Sequence, residues 1–158
     1  MKLESPSFSN GARIPEHHSG YGDNRSPELR WSGAPAGTKS FAIVVDDPDA
    51  PGSEPFVHWL IYNIPPALSA LPESLPTSAK LPDIGGALQG RNSAGSSGYF
   101  GPRPPKTHSP HHYHFRIVAL DTMLPLVAGV DRNKLSHAMK GHALAEAETI
   151  GTYKFGGS

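Results

Sequence analysis

The sequence predicts a mainly β protein with one helical segment near its C-terminus. Three observations carry that prediction. Apolar residues fall in short blocks, Ser40–Val45, Phe56–Ile64 and Tyr113–Leu120, of strand length rather than helix length. β-branched and aromatic residues dominate these blocks. The breakers, 17 Gly and 17 Pro, lie between the blocks rather than inside them. With Ser added, this breaker content nears that of disordered chains, but two Trp, five Tyr and six Phe supply a core.

Taken in order, Met1–Phe8 is expected as an edge strand, because Pro6 is tolerated only at an edge. Asn10-Gly11 marks a turn. Glu16–Pro35 is polar and breaker-rich, with Leu29 and Trp31 as its one apolar pair. Ser40–Val45 (SFAIVV) is a continuous apolar run and predicts a buried strand. Asp46–Pro51 (DDPDAP) is expected to end it, because each Pro lacks an N–H and restricts its predecessor. Phe56–Ile64 (FVHWLIYNI) is apolar on both faces except for His58 and Asn63, which predicts a central strand ended by Pro65-Pro66. Ala67–Gly90 has no clear period. Arg91–Pro110 is a long Gly/Ser/Pro-rich loop, a length that usually carries function. Tyr113–Leu120 is a third strand, with Phe115, Ile117 and Ala119 alternating against His114, Arg116 and Val118. Asp131 suits a helix N-cap. Leu135, Met139, Ala143 and Ala147 follow at spacing four and predict one helical stripe, divided at Gly141. Thr152–Phe155 is expected as a closing strand.

Length and charge narrow the function classes. The 158 residues suit one domain, residues 1–158. Fourteen Lys+Arg balance fourteen Asp+Glu, which argues against a nucleic-acid or anionic-membrane surface. The nine His would add positive charge below about pH 6. The absence of Cys excludes disulfides, thiolate nucleophiles and Cys-held zinc. No apolar run reaches the ~18 residues of a membrane span. The first twenty residues lack a signal-length apolar stretch, so a cytoplasmic location is expected.

Four constellations bear chemistry. Pro48 and Pro51 stiffen the acidic turn Asp46, Asp47, Asp49, whose carboxylates suit turn amides or, more weakly, a metal. His58 sits in the most hydrophobic strand, where its nitrogens need either backbone partners or a cavity; both readings stay open. GPRPP is either a polyproline ligand for another domain or a stiff pocket rim, with Arg103 and Lys106 able to attract an anion. In HHYH, alternation puts His112 and His114 on one face and His111 and Tyr113 on the other. Two His can begin a zinc site, but no third ligand is evident, and plain surface exposure is the expected state of His112 and His114. No G-x-G-x-x-G, Walker or G-x-S-x-G pattern occurs.

FSNGARIP, then SPELRWSGAPAGTKSFAIVVDDPDAP, FVHWLIYNIP, SGYFGPRPP, HHYHFRIVALD and LSHAMKGHALAEAETIGTYKF follow one another along nearly the whole chain. In that order they resemble the phosphatidylethanolamine-binding protein family, most closely its bacterial, Raf-kinase-inhibitor-like branch. DPDAP, HW, GPxPP and H-x-Y are specific as a set, though none is alone. The resemblance implies a large antiparallel sheet packed on a smaller one, with short C-terminal helices and a small anion pocket at one sheet end. It places Asp47, Asp49, His58, Gly101, Pro102, His111 and Tyr113 at that pocket, with Phe56 near its mouth. Imidazole and backbone N–H groups would then donate to phosphate oxygens, and a carboxylate would orient an imidazole and raise its pKa. Many bacterial members carry Cys in the Gly-Pro loop, where this chain has Arg103.

The expected function is therefore non-enzymatic: binding of phosphate, another small anion or a phospholipid headgroup, with regulation or inhibition of a kinase or protease. The alternative is a hydrolase or metal-dependent enzyme using the same His/Asp pocket. No catalytic residue, metal or cofactor is implied. The expected partners are the anionic ligand, the target protein and a second copy in a homodimer.

Overall fold

The computed structural model describes residues 1–157. Its strands are β1 (Lys2–Glu4), β2 (Leu29–Ser32), β3 (Ser40–Asp47), β4 (Phe56–Ile64), β5 (Ala70–Leu71), β6 (Lys80–Leu81), β7 (Ala87–Gln89), β8 (His111–Leu120) and β9 (Ala143–Tyr153). One α-helix, α1, spans Arg132–Met139, and single 3-10 turns cover Glu16–His18 and Pro82–Ile84. Six strands form a large sheet in the order β6-β7-β4-β3-β8-β9, and three form a small one in the order β1-β2-β5. Every strand pairing within them is antiparallel. The expected β fold, a large sheet packed on a smaller one, is what the chain adopts.

The apolar blocks become the middle of the large sheet because both of its faces are covered. On one face Phe41, Ile43, Val45, Trp59, Ile61, Phe115 and Ile117 pack against Leu3, Leu29, Trp31 and Leu71 of the small sheet. On the other, Ala42, Val44, Leu60, Tyr62, Val118 and Leu120 pack under Leu124, Val130 and the α1 residue Leu135. Burying a side chain of this size contributes about 1.5–3 kcal/mol.

Two expectations about local structure change. First, β3 does not stop before the acidic turn: Asp46 pairs with Val57 and His114, and Asp47 pairs with Phe56. Only at Pro48 does the missing N–H end the ladder. Asp46 remains buried because Arg116 (3.3 Å) and Arg132 (2.9 Å) reach its carboxylate from β8 and α1. Second, the spacing-four stripe is helical only to Met139. Asp131 caps α1 through the Lys134 N–H at 2.9 Å, and Gly141, at φ +82°, turns the chain back. Ala143 and Ala147 lie on β9, which begins nine residues earlier than the closing strand expected at Thr152 and pairs with β8 along its length. Spacing four fits a helical turn and also two strand repeats, so small residues at that interval do not discriminate. At the other end, the edge strand is confined to Lys2–Glu4.

Strand β4 carries the irregularity that matters most for the site. Val45 pairs with Trp59 while Asp46 pairs with Val57, leaving His58 as the extra residue of a bulge. A bulge re-aims the side chain it carries and is common beside functional sites.

Candidate functional site

Asp47, His58 and His111 stand near the ends of three adjacent strands, β3, β4 and β8. Sheet order alone therefore brings together residues 64 and 53 positions apart in sequence. The Asp47 carboxylate accepts from His111 Nδ1 at 2.6 Å, with both side chains buried. Its second oxygen accepts the Asp49 backbone N–H at 2.8 Å, which closes the turn. His58 Nδ1 lies 2.5 Å from the Phe100 carbonyl, and the Phe100 N–H donates back to the His58 carbonyl at 2.9 Å. The long loop is thereby fastened to the bulge. Tyr113 sets its ring edge against His58 at 5.1 Å.

These groups line a cavity of about 260 Å³, completed by Ala50, Pro51, Phe56, Phe100, Arg103, Pro104 and Pro105. GPRPP is its rim rather than a free polyproline ligand: Gly101, Pro102 and Pro104 are buried within the chain. The segment behind it holds it in place. Gly20 N–H donates to the Pro102 carbonyl, Gly101 N–H to Asn24 Oδ1, and the Tyr21 hydroxyl to the Pro104 carbonyl. Gly101 has no room for a side chain, since a Cβ there would stand 2.3 Å from the His18 carbonyl oxygen. Arg103 lies over the Tyr21 ring, 5.7 Å from its centroid.

The protonation pattern follows from these partners. A carbonyl and a carboxylate only accept, so Nδ1 carries the proton in both His58 and His111. In a neutral ring that leaves Nε2 as an acceptor. His111 Nε2 meets His108 Nδ1 at 3.1 Å, so His108 Nδ1–H is the donor to it. Burial lowers the His58 pKa, against the opposing pull of the Phe100 carbonyl and the Asp47 and Asp46 charges. At His58 desolvation outweighs the attraction of those charges. Burial likewise raises the Tyr113 phenol, with Asp47 adding to it.

Of the residues expected at the site, Asp47, His58, His111, Tyr113 and Phe56 line the cavity. Gly101 and Pro102 begin the rim segment but are not among the residues that line the cavity. Asp49 faces away from the cavity and holds the exposed start of β8, accepting from His112 N and Nδ1, both at 2.8 Å. Burial alone would raise the Asp49 pKa, but these bonds more than offset it and leave it lowered. His112 and His114 do not converge on a metal: each takes its own carboxylate, Asp49 and Glu148. The sequence reading singled out the loop Gly98–Pro105 without assigning its Phe100, Pro104 and Pro105 to the lining, and it missed His108. Phe100 adjoins the quoted rim motif and the two prolines end it; His108 stands three residues before HHYH with no pattern to mark it.

A family model described as phosphatidylethanolamine-binding protein matches residues 4–154. The chain belongs to the phosphatidylethanolamine-binding protein family. Among its relatives in this family is a UPF0098 protein of Methanothermobacter thermautotrophicus, 45% identical over 156 residues, 99% of this chain and 100% of that protein. The crystal structure of Escherichia coli YbcL aligns at a TM-score of 0.87 with 36% identity, covering 98% of each chain. A phosphatidylethanolamine-binding protein homologue from Chlamydia trachomatis aligns at 0.86 with 39% identity, covering 97% of this chain and 96% of that one. The family's fold is thus matched across both sheets.

Proposed function

We propose that this phosphatidylethanolamine-binding protein family member binds a small phosphate-type anion in the cavity between β3, β4, β8 and the GPRPP rim, without turning it over. The carrying observation is that His58, His111 and Arg103 all line one 260 Å³ cavity. Arg103 offers a permanent positive charge with N–H donors. With His58 Nδ1 held by the Phe100 carbonyl, a protonated His58 offers its Nε2–H to the anion, so the anion enters together with that proton; His111, whose Nε2 is paired with His108, bounds the cavity beside it. The apolar part of the lining, Phe56, Phe100, Pro104 and Pro105, suits the organic part of a phosphate monoester or headgroup better than it suits inorganic phosphate. Regulation of a kinase or protease then follows as presentation or masking of that bound group.

The test is a titration of the histidine side-chain NMR signals with inorganic phosphate and with phosphoethanolamine. Signals of His58 and His111 should move with both, and at lower concentration with phosphoethanolamine. Signals that stay fixed at millimolar ligand would sink the reading. Asp47–His111 has the form of an orienter and base, which is the observation behind a hydrolytic alternative. None of the lining residues is Ser, Thr or Cys, so a screen of phosphate and carboxyl esters is expected to show no turnover.

A further inference from the structure

Behind the rim, away from the anion cavity, His17, His18 and Glu73 each place a potential ligand atom within 4.8 Å of the others. His18 is wholly buried, at 0% exposure. Its Nδ1–H donates to the Arg25 carbonyl at 2.8 Å, which fixes the tautomer and leaves Nε2 with a lone pair. That Nε2 is a buried atom with no hydrogen-bond partner among the described residues. The His17 ring stands against the His18 ring, with centroids 3.9 Å apart, and His17 Nε2 lies 3.7 Å from Glu73 Oε1.

We propose that His17, His18 and Glu73 form a binding site for a divalent transition-metal ion of the zinc class. Two imidazoles and a carboxylate are a donor set that suits such ions. The Arg25 carbonyl does for His18 what backbone carbonyls do for metal-bound histidines: it holds the ring's orientation and presents the other nitrogen. Glu73 is placed by its own turn. Ser74 sits at φ +63°, and Ser26 accepts the Ser74 N–H on its carbonyl and the Leu75 N–H on its hydroxyl, both at 2.9 Å. His17 and Glu73 are partly exposed, at 44% and 38%, and among the described residues have no other side-chain hydrogen-bond or ion-pair partner. Both rotate to close the set. Donors around a tetrahedral zinc stand about 3.3 Å apart, from bonds of about 2.0–2.1 Å. His17 and Glu73, both partly exposed, carry the side-chain freedom to close the present 3.7 Å separation toward that value. Three protein ligands leave the remaining position to water.

Such an ion would tie the Glu16–His18 turn to the segment following β5. That turn carries the rim, since the His18 carbonyl accepts the Tyr99 hydroxyl at 2.6 Å. The site does not depend on the anion reading and is tested apart from it. Tag-free full-length protein is titrated with Zn²⁺ in phosphate-free buffer, followed by calorimetry and by the histidine ring ¹⁵N signals. The expected result is one equivalent bound, with the His18 Nε2 resonance moving most. H17A and E73Q alter exposed side chains, and each should weaken zinc binding by roughly tenfold or more, the scale that even outer-sphere partners reach. Zinc that binds both variants as it binds the parent, zinc that shifts His108 and His111 while His18 stays fixed, or no binding at all overturns the proposal.

Discussion

His58 and His111 reach the same hydrogen-bonding pattern by different means, one through a backbone carbonyl and the other through a buried carboxylate. The consequence is that His58 is no anion donor until it takes up a proton on Nε2, while His111 Nε2 is already engaged by His108. Arg103 needs no such step, which makes it the residue whose loss isolates charge from protonation. Replacing Arg103 with Ala removes one charge-assisted contact, worth about 1.5–3 kcal/mol when buried. Arg103 is exposed on its outer side, so the lower end applies and phosphate affinity should fall about tenfold, measured by calorimetry at fixed pH. Folding stability should change by no more than about 0.5 kcal/mol, as for most surface substitutions. An unchanged affinity would remove Arg103 from the site. Of these groups, the Asp47, His58 and His111 set was legible in sequence because each falls in a distinctive motif. Their contacts were not legible, since which nitrogen faces which acceptor depends on the bulge at His58 and on the docking of Phe100.

Strands β3 and β4 were legible because each is eight or more residues long and buried on both faces, which leaves a nearly continuous apolar run, and β8 because Tyr113, Phe115, Ile117 and Ala119 alternate with more exposed residues over its first part. Strands β5, β6 and β7 have two or three residues each, too few for any period to register. The place of β7 and of the segment leading into β6 is held by a side chain instead. Gln89 of β7 is wholly buried; it accepts the Trp59 indole N–H at 2.7 Å and donates to the Pro76 and Ser78 carbonyls at 2.8 Å. Gln89→Leu keeps the volume but orphans the buried indole N–H, at a cost of about 1–3 kcal/mol. Urea denaturation should show that loss; a variant as stable as the parent would mean the indole finds another acceptor. The rim loop depends on a glycine in the same way. Gly101→Ala would drive its methyl into the His18 carbonyl and Asn24 Oδ1. The expected result is a destabilisation of about 1–3 kcal/mol, the usual range for overpacking, together with weaker phosphate binding as the rim shifts. Weaker binding without destabilisation would instead place Gly101 in direct contact with the ligand.

At the scale of the whole molecule, two buried imidazoles make folding sensitive to acid. Burial is the largest influence on both His18 and His58, and both pKa values are lowered. An imidazole takes up its proton in the unfolded chain near pH 6.5. A folded value below that makes the unfolded state bind more protons, so stability rises with pH across this interval. The contribution is present in full above about pH 6.5 and is lost as pH falls toward the folded-state values. Each such group supplies a slope of at most about 1.4 kcal/mol per pH unit. Urea midpoints should therefore hold steady from pH 8 to 7 and decline below about pH 6.5. Sulfate, which stays fully ionised throughout, separates the two histidines. Bound in the anion cavity it pairs with protonated His58 and returns part of the lost stability through mass action, while His18, behind the rim, is unaffected. The decline should consequently be shallower in sulfate than in chloride of equal ionic strength, and this difference should vanish in the Arg103→Ala, His58→Gln double variant. Parallel curves in the two salts for the parent protein would mean that the cavity takes no anion with its proton, and the proposed mode of binding would fail with them.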